Sequence, residues 1–400
     1  MKSGKPFGAM RSLYVHFPFC ESKCHYCDFY SIGAERTADS DPLLFEEALF
    51  QECRRYSGSS IDSAAIDAIQ DDSTRKALPL RLSEQVDTIF FGGGTPSMTP
   101  PESMLRALAP LKLSERIHSG TEWTMEANPS SVDRSKLEAY RALGVNRISM
   151  GVQALRPDLL TALGRVHSRD AAFRALDAIF SAGFTNVSVD LLCGVPNQSV
   201  DEVEKAMDEL TAYPITHLSC YLLTLPKTHR MFRDLPKEDE QLEHLLAIDR
   251  TMTRKGFEHY EISNFAKPGH RARHNLAYWT GESYLALGPS AHSYDAARGE
   301  RWKNFSSLHK YASLLRKDES VIEWKESLTS EQREMEKWLL ALRLADGFPR
   351  AWLDSDHRQK KAALLRERGL IENHPSQSEN LRLTPRGFAL SDQIIASLAG

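Results

Sequence analysis

Cys20, Cys24 and Cys27 are the residues of this chain whose type and spacing point most directly to chemistry. Their Cx3Cx2C spacing supplies three thiolates from one short loop, and iron–sulfur clusters are held by thiolates. The surrounding stretch reads YVHFPFCESKCHYCDF over residues 14–29. It follows a β-rich run directly, which places the loop at the C-terminal end of a strand, the catalytic face of α/β barrels. A structural zinc site wants a fourth ligand, often from a second CxxC, and the sequence has no other CxxC. Three cysteines can ligate three irons of a [4Fe–4S] cubane and leave the fourth iron open. That iron can chelate the amino and carboxylate groups of S-adenosylmethionine (SAM). One electron from the cluster then cleaves the sulfonium and yields a 5′-deoxyadenosyl radical, the cofactors carrying the hard chemistry. Two alternatives stand beside this: buried thiols in a tight loop, and a zinc knuckle completed by His25 or Asp28.

The remaining cysteines, Cys53, Cys193 and Cys220, are scattered. Each lies in a helical or strand-like run and reads as a small buried hydrophobe, not as part of a disulfide framework. The chain has 400 residues, enough for two or three domains. Its 41% hydrophobic and 26% charged residues are those of an ordinary globular protein. A net charge of −4 gives no sign of nucleic-acid binding by the chain as a whole. No apolar run reaches the roughly 18–20 residues that a membrane-spanning helix needs. The start, MKSGKPFGAMRSL, lacks the apolar stretch of a secretory signal, so the expected location is the cytoplasm.

The elements that must position the cysteines alternate in type. Strands are expected over 12–19, 86–92, 122–127, 147–152, 187–192 and 217–223, with an edge strand near 259–262. Helical periodicity fills 42–55, 101–112, 133–143, 168–182, 199–212 and 238–256. Such repetition requires right-handed crossovers and a parallel sheet. The expectation is an α/β fold: a partial (β/α) TIM-like barrel of about six parallel strands. Residues 57–80 read as a polar surface insertion, and 263–305 as an irregular stretch rich in His, Gly, Tyr and Trp. From about 306 helices dominate, with a hairpin across GLIEN…LRLT, so the C-terminal part reads as mainly helical and winged-helix-like. Three domains are expected: 1–265 (the barrel), 266–305 (a linking segment) and 306–400 (the helical domain). Balanced charge in the last argues against DNA binding.

The cysteine motif, with the aromatic Tyr26 before its last cysteine, resembles the signature of the radical SAM superfamily. The motifs YVHFPFC, GGGTPS (92–97), EANP (126–129), GVQ (151–153), LGRVH (163–167) and VDLLCGVP (189–196) narrow the resemblance. In that order they look like the oxygen-independent coproporphyrinogen-III oxidase group, over nearly the whole chain. The resemblance implies a [4Fe–4S] cluster on Cys20, Cys24 and Cys27, and a SAM site. Tyr26 would lie against the adenine, and Tyr14 would contact SAM. Gly93, Gly94 and Thr95, in a glycine run that ends a strand, would bring bare backbone to the SAM ammonium group. Glu126 matches a carboxylate that contacts SAM, although alone it could be a solvated or capping acid. Gln153, Arg165 and Asp190, expected at strand ends or just after them, match positions that line the pocket.

Phe29 stands where the coproporphyrinogen dehydrogenase has a fourth cysteine, and only about a dozen residues precede the first strand. The stretch 259–292 carries HNLAYW, which resembles the HNxxYW marker of the heme-chaperone branch. The resemblance implies heme contacts from His274, Asn275, Tyr278 and Trp279. Histidine is a common axial ligand, and an aromatic pair offers flat apolar surface. Alternatively, Tyr278 and Trp279 pack the barrel against the C-terminal domain while His274 hydrogen-bonds backbone; His259, His270 and His292 are other possible ligands. The implied function is a heme chaperone that delivers heme to a respiratory apoprotein, with at most peripheral membrane association. The resemblance also implies a flavodoxin or ferredoxin-type electron donor and a homodimer. The alternative is radical oxidative decarboxylation of coproporphyrinogen III; a third reading, a nucleic-acid-binding regulator, finds no support in the charge.

Overall fold

The computed structural model describes residues 9–58 and 80–399. Most of the expected insertion over 57–80 therefore lies outside the described residues. In chain order the first elements are β1 (Ser12–Phe17), α1 (Asp41–Tyr56), β2 (Thr88–Gly93), α2 (Pro101–Leu108), β3 (Glu122–Ala127) and α3 (Arg134–Leu143). Next come β4 (Arg147–Gln153), α4 (Pro157–Leu163), α5 (Arg169–Ser181), β5 (Asn186–Cys193), α6 (Val200–Leu210), β6 (His217–Leu222) and α7 (Glu238–Arg254). They are followed by β7 (Glu258–Glu261), β8 (Asn264–Ala266), α8 (Arg273–Trp279), β9 (Tyr284–Leu287), β10 (His292–Asp295), β11 (Glu300–Asn304), α9 (Leu308–Arg316) and β12 (Ile322–Ser327). The chain ends with α10 (Ser330–Ala341), β13 (Phe348–Pro349), α11 (Asp356–Glu367), β14 (Ile371–Asn373), β15 (Asn380–Leu383), α12 (Pro385–Ala389) and α13 (Ser391–Ala399). The fold is α/β with a parallel-strand sheet, as the strand–helix repetition predicts.

Two compact units share the chain. The first comprises Met1–Ser149, Phe173–Phe184 and Glu282–Leu328. In it β3, β2, β1 and β9 lie side by side, each neighbouring pair parallel. The sheet then continues antiparallel through β10, β11 and β12. Strand β1 is largely buried on both faces, with Leu13, Val15 and Phe17 on one and Ser12 and His16 on the other, as expected for a strand covered on both sides. Helix α1 covers one side: the Phe45 ring meets Phe17 at 5.6 Å and Phe19 at 5.7 Å, both edge-on. These contacts hold the two residues flanking Pro18, and so fix where the chain enters the cysteine loop.

The second unit comprises Met150–Ala172, Thr185–Gly281 and Thr329–Gly400. Its sheet runs β7, β8, β6, β5 and then the end of β4. β5 and β6 are parallel, while β8 runs antiparallel to both β6 and β7. A capping box between Ser199 and Glu202 opens α6, each side chain satisfying a backbone N–H at the helix start. Within this unit the C-terminal helices surround the antiparallel strands β13, β15 and β14. Trp338, Phe348, Leu365, Leu381 and Leu398 are among the side chains that build their shared core.

The stretch 263–305, irregular by its pattern, contains β8, α8, β9, β10 and β11. Its helix has only seven residues, too few for a 3.6-residue period to stand out. β9, four residues long, becomes a strand by pairing with β1, from Tyr284 beside Ser12 to Leu287 beside Val15. β12 is exposed at all but one of its residues and is a strand by its pairing with β11.

Candidate functional site

In the first unit the cysteine loop leaves the end of β1 through a two-residue bridge, Phe19–Cys20, paired with Ile32–Gly33. The Ile32 N–H donates to the Pro18 carbonyl at 2.6 Å, closing the loop at its base. Inside it the Cys27 N–H donates to the Cys24 carbonyl at 3.3 Å, a turn that brings these two cysteines together. All three cysteines are half-buried and form no disulfide, whereas Cys53, Cys193 and Cys220 are fully buried in the core. Burial raises the Cys27 thiol above its ordinary value, and the neighbouring Cys24 and Cys20 raise it further. A bound cationic iron would favour the deprotonated form of Cys27 that burial and its neighbours oppose.

The glycine run packs against that loop by backbone contact. The Gly94 N–H donates to the Phe17 carbonyl and the Thr95 N–H to the Phe19 carbonyl, both at 2.7 Å. A methyl group on Gly94 would lie 2.6 Å from the Phe19 oxygen, so no larger residue fits without parting the two loops. Gly93 has a φ of 108°, and a Cβ there would strike the His16 ring. The Thr95 hydroxyl donates to the Cys20 sulfur at 3.6 Å and accepts from the Asn128 amide at 2.9 Å. The Gly93 N–H donates to the Glu126 carboxylate at 3.1 Å. Glu126 therefore organises the glycine loop in this structure, beside any contact it makes with a ligand. Ser130 donates to Glu21 at 2.6 Å, tying the turn after β3 to the cysteine loop.

Tyr14 and Tyr26 are both partly accessible in this unit. The Tyr14 hydroxyl shares a 3.1 Å hydrogen bond with His16 Nδ1. Burial, and then the Glu126 charge, hold its phenol protonated, well above the usual range. His16 is the site residue that sequence reasoning missed. It is buried, and its Nε2 bonds the Tyr30 carbonyl oxygen at 2.8 Å. Burial lowers its pKa to about 4, so the ring is neutral at physiological pH. The available signal was a polar residue on the Tyr14 face of an otherwise apolar strand.

In the second unit Gln153 is the last residue of β4 and has a φ of 67°. That strained value at a strand end suits a functional position better than a packing one. Arg165 does not follow a strand directly: α4 intervenes, and its guanidinium reaches back to the Gly151 carbonyl at 2.7 Å. Asp190 is not at a strand end; it lies inside β5, paired with Ser219.

His274, Asn275, Tyr278 and Trp279 all lie on α8 of the second unit. His274 is 1% exposed, and its Nε2 shares a 2.7 Å hydrogen bond with the Tyr278 hydroxyl. The two rings are one helical turn apart and meet edge-on at 4.9 Å. Trp279 lies under the Arg343 guanidinium at 5.9 Å. Of the other histidines, His259 bonds Asp249 at 2.9 Å and stacks on Phe265, and His292 lies in the first unit.

Residues 14–210 match the family model described as the radical SAM superfamily. The chain is 31% identical to heme chaperone HemW of Mycobacterium tuberculosis, over 99% of this chain and 96% of that one. It is 30% identical to heme chaperone HemW of Bacillus subtilis, over 98% and 100%. The chain belongs to the HemW family of radical SAM proteins. Its fold matches the coproporphyrinogen III oxidase HemN of Escherichia coli with a TM-score of 0.77, at 20% identity over 98% of this chain and 91% of that one.

Membership of the radical SAM superfamily implies a [4Fe–4S] cluster and SAM. Three half-buried thiols on one loop, without a fourth cysteine, fit a cubane with one open iron. Among the described residues, no three His, Cys, Asp or Glu groups converge to hold a single metal ion. Among the described residues, no helix is long and apolar enough to cross a membrane.

Proposed function

We propose that this chain is a radical SAM heme chaperone, binding heme at α8 and passing it to a respiratory apoprotein. The observation that carries the reading is the likeness, over 99% of the chain, to proteins named heme chaperone HemW, joined to the HNxxYW motif on one helix. Cys20, Cys24 and Cys27 would hold the cluster, and Gly93, Gly94, Thr95 and Glu126 would shape the SAM site beside it. Tyr14 and Tyr26 would belong to the same site, and Gln153, Arg165 and Asp190 of the second unit are further positions at which the family resemblance implies SAM contacts. When bound, the cluster supplies the single electron that cleaves the SAM sulfonium; a flavodoxin or ferredoxin-type donor would reduce it. Cytoplasmic location and a homodimer belong to the same reading.

The chain's own part in heme binding lies in α8. Ligation through His274 Nε2 requires its bond to Tyr278 to open, since that nitrogen cannot serve both partners. Phe29 is 67% exposed and stands where the porphyrinogen dehydrogenase has its fourth cysteine, which disfavours oxidative decarboxylation. The test is an anaerobic heme titration of wild type and His274→Ala, both with reconstituted cluster. A saturable Soret band that weakens in the variant is the expected result. No saturable binding by wild type would overturn the chaperone reading, and vinyl-porphyrin product from coproporphyrinogen III would establish the alternative.

A further inference from the structure

Along its buried stripe helix α1 carries Phe45, Ala48, Leu49 and Cys53, and among them one carboxylate, Glu52. Both of its oxygens are engaged. One accepts from the Gly288 N–H at 2.7 Å and from the Tyr311 hydroxyl at 2.5 Å, the other from the Asn304 amide at 2.7 Å. The Asn304 amide also donates to the Gly288 carbonyl at 3.0 Å. Both partners of that amide are acceptors, which fixes the side it presents. Gly288 is therefore held at its N–H by Glu52 and at its carbonyl by Asn304.

Gly288 follows β9, whose last residue, Leu287, lies beside Val15 of β1. That puts Gly288 next to His16. A methyl group on Gly288 would stand 2.5 Å from the His16 carbonyl oxygen, and its φ of 99° also favours glycine. The His16 ring in turn bonds the Tyr14 hydroxyl at 3.1 Å, and a Cβ on Gly93 would strike it. The turn beyond Gly288 is tied to the end of β11 by backbone alone, Asn304 N–H to the Ala291 carbonyl and Ser290 N–H to the Phe305 carbonyl. Glu52 thus acts on the Gly288 peptide and not on the whole turn. A carboxylate at this depth is costly unless its oxygens are satisfied, and packing alone would be served by leucine, as at Leu49.

We propose that Glu52 is a positioning residue for the SAM site: by pinning the Gly288 peptide it holds His16 against Tyr14 and Gly93. This role rests on reading Tyr14, Gly93, Gly94 and Glu126 as SAM-site residues, while the pinning itself can be tested without SAM or cluster. The variants are Glu52→Leu, Glu52→Gln and Tyr311→Phe. Leucine removes every bond that the carboxylate makes. Glutamine can keep the Gly288 N–H on its oxygen, but its amide then faces the Asn304 amide, donor against donor. Tyr311→Phe removes the third bond and leaves both grips on Gly288 in place, so it lowers stability without touching the route to His16.

In Glu52→Leu without cofactors, hydrogen exchange should quicken in peptides covering 14–20, 92–95 and 286–291, while α3 keeps its wild-type rate. After reconstitution, calorimetry should show SAM affinity about tenfold weaker, the scale of one lost hydrogen bond. Glutamine should give the same pattern at smaller size. Tyr311→Phe should leave SAM affinity and exchange over 92–95 at wild-type values. Exchange that quickens evenly in 14–20 and α3, or in neither, would overturn the proposal, since Glu52 would then contribute to stability alone. So would selective exchange with wild-type SAM affinity, or a Tyr311→Phe protein that loses as much SAM affinity as Glu52→Leu. Should Glu52→Leu fail to fold, Glu52→Gln decides, and wild-type exchange over 286–291 there refutes the pinning. Wild type that binds no SAM with a full cluster would refute the SAM reading, and the exchange comparison would still decide whether Glu52 pins Gly288.

Discussion

Tyr278→Phe separates a ligand role for His274 from a packing role, because the two predict opposite changes. The substitution keeps the ring, and with it the apolar surface and the edge-on contact at 4.9 Å. It removes the hydroxyl that occupies His274 Nε2 at 2.7 Å. Leaving a buried polar nitrogen without that partner costs about 1–3 kcal/mol in the heme-free protein. If heme iron then takes the nitrogen, the same energy returns on binding, and affinity rises by roughly five- to 150-fold. The variant should therefore melt at a lower temperature without heme and bind heme more tightly. The assay is anaerobic heme titration by Soret absorbance, paired with thermal unfolding of the heme-free form. Lower stability with unchanged or weaker heme binding would show that the pair is structural and that the ligand lies elsewhere.

Three further outcomes follow from the first unit. Gly94→Ala places a methyl group 2.6 Å from the Phe19 carbonyl oxygen. It should part the glycine loop from the cysteine loop and abolish SAM binding while far-UV dichroism is retained; normal SAM affinity by calorimetry would refute this. Phe45→Ala removes the ring wedged against Phe17 and Phe19. It should cost about 3–5 kcal/mol of stability and lower the iron content after reconstitution, and a full iron complement would refute the positioning role of α1. Glu52 is 1% exposed and accepts from Gly288 N–H, Asn304 and Tyr311. Burial, opposed by these bonds, raises its carboxyl from 4.5 to about 7. A raised carboxyl favours the folded state while protonated, so its contribution is full below about pH 4.5 and is lost as pH rises through 7. The loss is on the order of 3 kcal/mol. Urea unfolding of Glu52→Gln between pH 5 and 8 should show a flatter profile than wild type, and an unchanged slope would refute the assignment.

What could be read from the sequence was whatever is local along the chain. Cys20, Cys24 and Cys27 share one loop, so their spacing alone suggested a common ligand. Gly94 and Glu126 end strands whose apolar runs are themselves visible, so the motif and the strand pointed the same way. His16 escaped because one polar residue in SLYVHF reads as an interruption, and only folding reveals the Gly93 backbone pressed against its ring. Glu52 escaped for the opposite reason: it sits in an ordinary helical pattern, and its partner Gly288 is 236 residues away. β9 was invisible because four apolar residues carry no period, and its pairing with β1 and β10 makes them a strand.

The same distinction bears on how α8 should be understood. The HNxxYW residues advertise themselves by type, and the spacing of His274 and Tyr278 puts them one helical turn apart. Yet a seven-residue helix is marginal by itself, and its geometry depends on who holds its ends. One such holder, Tyr260, accepts from the Ala272 N–H, precedes the helix by more than ten residues and looks like a routine member of a short edge strand. Motif residues therefore identify what is presented, while buried polar residues outside the motif decide how firmly. A change at Tyr260 that loosened α8 would leave every motif residue in place, so inspection of the motif alone would not detect it.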